Sequence, residues 1–441
     1  MKMDTNEQRQ ESQQNRREER HKRRQRSQII AYTVVGIMIL VLAAGIAFAV
    51  SKITGMNHDR QEQQNKLDDI IASEETITAP TEPVETVPEL TNEQKLDKII
   101  DEAIIQNMPL EDKVAGLFIT TPESITGVSA AVQAGDGTKD ALSKYPVGGI
   151  VYAAKNIQSA DQLKQMIDNT KLYTSYPLFI AIDGEGSGTD AVAAAGLGTK
   201  TDSPETIGGD TNNAYTAGTT VGSYLAELGF NLDFAPAADL KVVDGNAAGS
   251  SSYGTDAATV ASFVTGMQTG LQEQKVTAAI GHFPGIGSTT QSTKNGMAST
   301  DRSAEDFRAN EFAVFQSCID SGETKMITVS NMAAPSLTGD NTPCSLSGAV
   351  VTDILRNELN FRGVIVSGAM NQAAITNYYG ADEAAVLALR AGCDMIYAPE
   401  NFETAYNGVL EAVQNGTISE DRVNDSLRRI YRIKYADKIE Q

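Results

Sequence analysis

Tryptophan is absent from these 441 residues, and cysteine and histidine occur three times each. The cysteines, Cys318, Cys344 and Cys393, are widely spaced and form no C-x-x-C pair. So sparse and odd a set speaks against a disulfide framework. The histidines, His21, His58 and His282, are too few to build a His-rich zinc site, so no metal or other cofactor is expected. Basic residues are also in short supply: 36 Lys and Arg against 57 Asp and Glu give a net charge of -21. Such acidity repels phosphate backbones, which argues against nucleic acid as a partner, and otherwise keeps a domain soluble.

The largest local absence is of charge. Segment 29–50 carries no charged residue, while Arg16, Arg17, Arg20, Lys22, Arg23, Arg24 and Arg26 crowd the stretch just before it. About twenty apolar residues rising ~1.5 Å each match the hydrocarbon thickness of a bilayer, and a signal-peptide core is shorter, typically about 7–15 residues. A transmembrane helix over 29–50 is therefore expected. The basic flank places a cytoplasmic tail at 1–28 and everything after Lys52 outside the cell membrane. The competing reading is a cleaved signal, with Ala47-Phe48-Ala49 as the small-residue cleavage site. The basic tail would also attract anionic lipid.

Segment 51–92 is polar and ends in a Thr, Pro and Glu-rich stretch, a composition that buries too little apolar surface to offset its ordering entropy. It is expected to be an extracellular stalk. A short helix over 61–71 is conceivable there, but its charges give no sustained heptads for a coiled coil.

A folded domain is expected over 93–437. It opens with a helical pattern in which Leu96, Ile99, Ile100, Ala103 and Ile104 share one face. Eight short apolar runs follow, at 114–120, 148–153, 178–183, 230–236, 276–284, 325–330, 363–367 and 394–399. Between and after them lie helix-length amphipathic segments, at 160–172, 214–228, 257–274, 304–321, 347–359, 382–391, 402–415 and 420–435. Strands that each hand over to a helix predict an α/β fold with a parallel sheet, closed into a (β/α)8 TIM-type barrel; an open doubly wound sheet is the second choice. In such a barrel, function gathers where strands end. The strand ends offer Asp183 and Glu185, Asp239, His282, Ser330 and Asn331, Ser367 and Pro399.

The runs KVAGLFIT, YPVGGIVYAAKNIQSADQL, PLFIAIDGEGSG, LGFNLDFAPAADL, TAAIGHFPGIGST and LNFRGVIVSGAM occur in that order. Together they resemble the catalytic barrel of glycoside hydrolase family 3, in particular the single-barrel β-N-acetylhexosaminidases that trim peptidoglycan fragments. The resemblance spans about 93–435. It implies hydrolysis of O-glycosyl bonds, with an Asp nucleophile after the seventh strand and an Asp-x-His acid/base dyad in the loop after the fifth.

This chain departs from that pattern at each catalytic position. Gly368 stands at the nucleophile position, and a residue without a side chain forms no glycosyl intermediate. Gln291 and Thr293 stand at the acid/base positions, where neither a carboxamide nor a hydroxyl titrates near neutrality. The sugar-gripping Arg expected after Gly184 is missing, and Asn331 replaces an expected His. What the resemblance leaves for substrate binding is Asp183, Asp239, His282 and Asn331, since a carboxylate accepts sugar hydroxyls.

The expectation is a pseudo-enzyme: a membrane-tethered barrel that binds a cell-wall glycan or muropeptide sugar without cleaving it. One alternative is an active hydrolase with relocated groups, for which Asp183 and Glu185 are the nearby pair. Alternate strand residues point to opposite faces, which counts against them. The other is a scaffold for an extracellular protein partner, its sugar pocket filled by residues such as Ile286, Met297 or Met370.

Overall fold

Residues 91–184 and 190–436 are described by the structure, a computed structural model. The expected tail and spanning segment therefore lie outside the described residues, as do nearly all of the stalk and Glu185. Among the described residues no helix is long and apolar enough to cross a membrane.

The domain opens with a reciprocal cap. Thr91 Oγ1 accepts the Gln94 N–H at 3.2 Å, and Gln94 Oε1 accepts the Thr91 N–H at 2.9 Å. These bonds satisfy groups that the first turn of helix Asn92–Ala103 would otherwise leave unpaired. Ile99, Ile100 and Ala103 are buried, as the spacing predicts. The same device, Ser159 with Gln162, starts helix Ala160–Leu172.

Eight strands follow: β1 Phe118–Thr120, β2 Gly149–Tyr152, β3 Phe179–Ile182, β4 Leu232–Asp233, β5 Thr277–Phe283, β6 Met326–Val329, β7 Val364–Ser367 and β8 Ile396–Tyr397. They pair in parallel, in the order β7-β6-β5-β4-β3-β2-β1-β8. The ring closes between β7 and β8, where Val366 bridges Met395 and the Ser367 N–H donates to the Met395 carbonyl at 3.0 Å. Sequential order with closure makes this a (β/α)8 barrel and excludes the open doubly wound sheet. All four residues of β2, β3, β6 and β7 are buried, which is why these segments read as unbroken apolar runs.

Several predicted boundaries shift. Val114 and Ala115, expected at the start of the first strand, end helix Leu110–Ala115 instead; Glu111 and Asp112 in its first turn favour the helix dipole. The helix expected over 304–321 is broken into Ala304–Ala309 and Glu311–Asp320 at Asn310, whose φ of -124° is not helical. Segment Ala349–Glu358 winds as a wide π-helix. The strands β4 and β8 pair over only two residues each, shorter than their apolar runs.

The seam between β7 and β8 is held by a buried carboxylate. Asp394 is 0% exposed, with Oδ2 accepting from Arg356 at 2.7 Å and from the Ile365 N–H at 2.9 Å. Its Oδ1 accepts from Ser426 at 2.8 Å and Arg429 at 2.9 Å. Burial alone would raise this carboxyl, but Arg356, Arg429 and Arg422 outweigh burial and hold it below the usual carboxylate range.

Candidate functional site

The C-terminal strand ends surround an open cavity of about 560 Å³, a size ordinary for a small-molecule site. Its wall contains Asp183 after β3, Phe234 and Asp239 after β4, His282 in β5, Ser330 and Asn331 after β6, Ser367 and Gly368 at the end of β7, and Tyr397 in β8. The four residues expected to bind substrate therefore share one cavity. The plug expected in the scaffold alternative is not seen: Met297 and Met370 are not in the cavity wall, and Ile286 lies in the wall of a cavity that remains open.

Asp239 and His282 form the best-defined pair. Asp239 is fully buried; its Oδ2 lies 2.9 Å from His282 Nδ1, and its Oδ1 accepts the Ile286 N–H at 2.8 Å. A carboxylate on Nδ1 sets the imidazole's orientation and directs its other nitrogen elsewhere. His282 is 30% exposed on this open side. Asp239 thus positions His282 and the turn that follows it, as well as lining the cavity.

The Phe283-Pro284-Gly285-Ile286-Gly287 turn has its glycines for steric reasons. Gly285 has φ +128°, a region L side chains rarely adopt, and a Cβ there would lie 2.8 Å from Glu311 Cγ. A Cβ on Gly287 would lie 1.6 Å from the Leu240 carbonyl oxygen. That close approach brings the turn against the Asp239 segment. Below it, Glu311 pairs with Arg302 at 2.6 Å; burial pushes its carboxyl up to about 7, with Arg302 opposing.

Among the described residues, the space beside Gly368 after β7 is taken by the Asn331 amide. A Cβ there would lie 2.6 Å from Asn331 Oδ1 and 2.9 Å from its Nδ2. The Asn331 amide is itself fixed: Nδ2 donates to the Ala369 carbonyl at 2.8 Å and to Gln372 Oε1 at 3.1 Å, while Oδ1 accepts from Ser345 at 2.6 Å. Both amide hydrogens are thereby used within the protein. Asn331 props the segment after β7 as well as lining the cavity.

The loop after β5 is similarly committed. Gln291 Oε1 accepts the Ser299 N–H at 3.0 Å, closing the loop on itself, and the Thr293 carbonyl accepts the Ala374 N–H at 3.0 Å. Gln291, Thr293 and Lys294 all line the cavity. The loop's one carboxylate, Asp301, does not line the cavity.

Asp183 lies just beyond β3, with its side chain exposed toward the cavity. Beneath it the Gly184 N–H donates to Asp233 Oδ1 at 3.0 Å. Asp233 is fully buried, and burial, then the neighbouring carboxylates Asp190 and Asp183, drives its carboxyl well above the usual range. Sequence reading passed over Asp233 although it sits inside the NLDFAP run, because a carboxylate under a strand end gives no periodic signal. It also missed Phe234, Tyr397, Asn371 and Gln372 in the cavity wall.

Comparison with known proteins places this geometry in a family. The profile described as Glycosyl hydrolase family 3 N terminal domain matches residues 110–433. A β-hexosaminidase of Nitrosomonas eutropha is 30% identical over 263 residues, covering 58% of this chain and 74% of that protein. β-Hexosaminidase A of Pseudoalteromonas piscicida is 24% identical over 324 residues, covering 66% of this chain; the chain spans only 54% of that protein's length. The solved structure of a family 3 β-N-acetylglucosaminidase from Paenibacillus sp. str. FPU-7 superposes with a TM-score of 0.71 at 29% identity, covering 76% of this chain and 64% of that one. With the barrel, the Asp239–His282 turn and the matched 110–433 together, the chain belongs to glycoside hydrolase family 3, among its β-N-acetylhexosaminidase-like members.

Proposed function

We propose that this protein is a catalytically silent member of its family, anchored by segment 29–50 with its barrel outside the cell, that binds β-N-acetylglucosamine-containing cell-wall glycan. One observation carries the reading: Gly368 ends β7, and the space a side chain would enter is taken by the Asn331 amide at 2.6 Å. Retaining hydrolysis needs a carboxylate nucleophile about 5–5.5 Å from a proton donor, and inverting hydrolysis needs two carboxyls further apart. Among the described residues the cavity wall contains two carboxylates, Asp183 and Asp239, and Asp239 is engaged by His282 and Ile286. A carboxylate such as Asp183 orients a sugar hydroxyl, but a single carboxylate does not supply both roles. The open cavity favours glycan binding over a filled scaffold.

The test has two parts. Purified protein is offered an aryl β-N-acetylglucosaminide, and aryl release at the buffer rate is expected. The same preparation is titrated with soluble N-acetylglucosamine oligomers, and saturable binding weakened by Asp183→Ala is expected. Turnover well above buffer by contaminant-free protein overturns the silence; absence of saturable binding overturns the glycan role.

A further inference from the structure

Part of the cavity wall is aromatic. Strands β4 and β8 lie four places apart in a ring of eight, hence on opposite sides of the barrel, and only long side chains meet across that span. Phe234 after β4 and Tyr397 of β8 do so, stacked with ring centroids 4.5 Å apart and planes inclined by 28°. Phe234 is buried, Tyr397 is half-buried, and both belong to the cavity wall.

Tyr397 is held at both backbone ends. Its N–H donates to Ser367 Oγ at 3.0 Å, and its carbonyl accepts the Met370 N–H at 2.9 Å. These bonds tie it to the residues on either side of Gly368. Where the family resemblance places a nucleophile's carboxylate, this chain has Gly368 with the Asn331 amide against it. The surrounding wall is rich in neutral polar groups, among them Gln291, Thr293, Ser330 and Gln372.

We infer that Tyr397, backed by the stacked Phe234 ring, forms with its other face a stacking platform for the apolar face of a neutral pyranose, and is thereby the residue that determines which sugars are held. This rests on the proposed glycan role and specifies its ligand class. A β-linked N-acetylglucosaminyl ring carries H1, H3 and H5 on one face and its hydroxyl and acetamido groups around its edge. The C–H face covers aromatic surface and gains from its removal from water, while the edge meets amides and hydroxyls. The chain has no tryptophan, so tyrosine and phenylalanine are the rings left to offer such a surface.

The experiment uses the full-length chain in detergent, titrated with methyl β-N-acetylglucosaminide and with N,N′-diacetylchitobiose and followed by proton NMR of the sugars. Wild type and Tyr397→Phe are expected to bind within threefold of each other, and Tyr397→Leu to bind at least tenfold more weakly. Tyr397→Leu keeps an apolar side chain against Phe234, and its thermal unfolding reports whether the fold is kept. In wild type, H1, H3 and H5 move upfield more than H2 and H4, and that pattern vanishes in Tyr397→Leu. If folded Tyr397→Leu binds as wild type does, or Tyr397→Phe loses as much as Tyr397→Leu, the platform is overturned while the glycan role stands. If wild type binds neither sugar, the glycan role falls and this inference falls with it.

Discussion

Gly368 and Asn331 together explain why a single reversion is not expected to restore chemistry. Placing a carboxylate by Gly368→Asp forces its Cβ to within 2.6 Å of an amide that is itself triply bonded. The proton donor would still be lacking, because Gln291 and Thr293 do not titrate near neutrality. Gly368→Asp is therefore expected to show no aryl glycoside turnover above wild type, and overpacking is expected to cost about 1–3 kcal/mol of stability in urea unfolding. A second residue-scale prediction concerns Lys434, which is half-buried, donates to the Gly148 carbonyl at 2.9 Å and lies 4.8 Å from the Phe179 ring. Burial pushes its amine down to about 7 from an ordinary 10.5. Between those values the unfolded chain binds a proton that the folded chain does not, so this group's contribution to stability grows as pH rises from about 7 to 10.5 and is lost as pH falls through 7. The urea midpoint of wild type minus that of Lys434→Met is expected to increase across this window. A flat difference would contradict the burial argument. That Gly368, Gln291 and Thr293 stand where the family resemblance expects catalytic groups was legible in the sequence, since each stands in a recognisable run. The Phe234–Tyr397 contact was not, because two residues over 160 positions apart meet only once the barrel is closed.

Among the elements, the β7–β8 seam depends most on one side chain. Asp394 accepts from two arginines, a serine and a backbone N–H at the point where the ring closes. Removing it leaves partly buried guanidinium groups without their fully buried counter-charge, and a loss of about 3–5 kcal/mol is expected for Asp394→Ala. Chemical denaturation measures this; a loss below about 1 kcal/mol would mean the seam is held by other contacts. All eight strands were foreseeable from runs that are apolar on both faces, but their ends were not. Hydrophobicity marks what is buried, and it does not distinguish the helical Val114 and Ala115 from the strand that begins at Phe118. The break at Asn310 was equally hidden, as the apolar period runs on from Phe307 to Phe312 and Phe315.

For the whole molecule, the apolar run, the polar stalk and the barrel propose an order from membrane outward. Protease added to intact cells is expected to cut within 51–92 and release the barrel, whereas a barrel protected until the cells are broken would contradict this orientation. Barrel topology followed from the alternation of apolar runs and amphipathic segments, and closure followed from the count of eight. The cavity's openness could not be read that way, because it depends on side chains such as Ile286 and Met370 turning toward or away from a shared space. The most direct test is intact-mass analysis of the protein after incubation with a mechanism-based fluoroglycoside that traps the glycosyl intermediate of retaining N-acetylglucosaminidases. An unchanged mass is predicted, since Gly368 offers no nucleophile. A mass increase of one glycosyl unit on any side chain of the barrel would contradict a silent site.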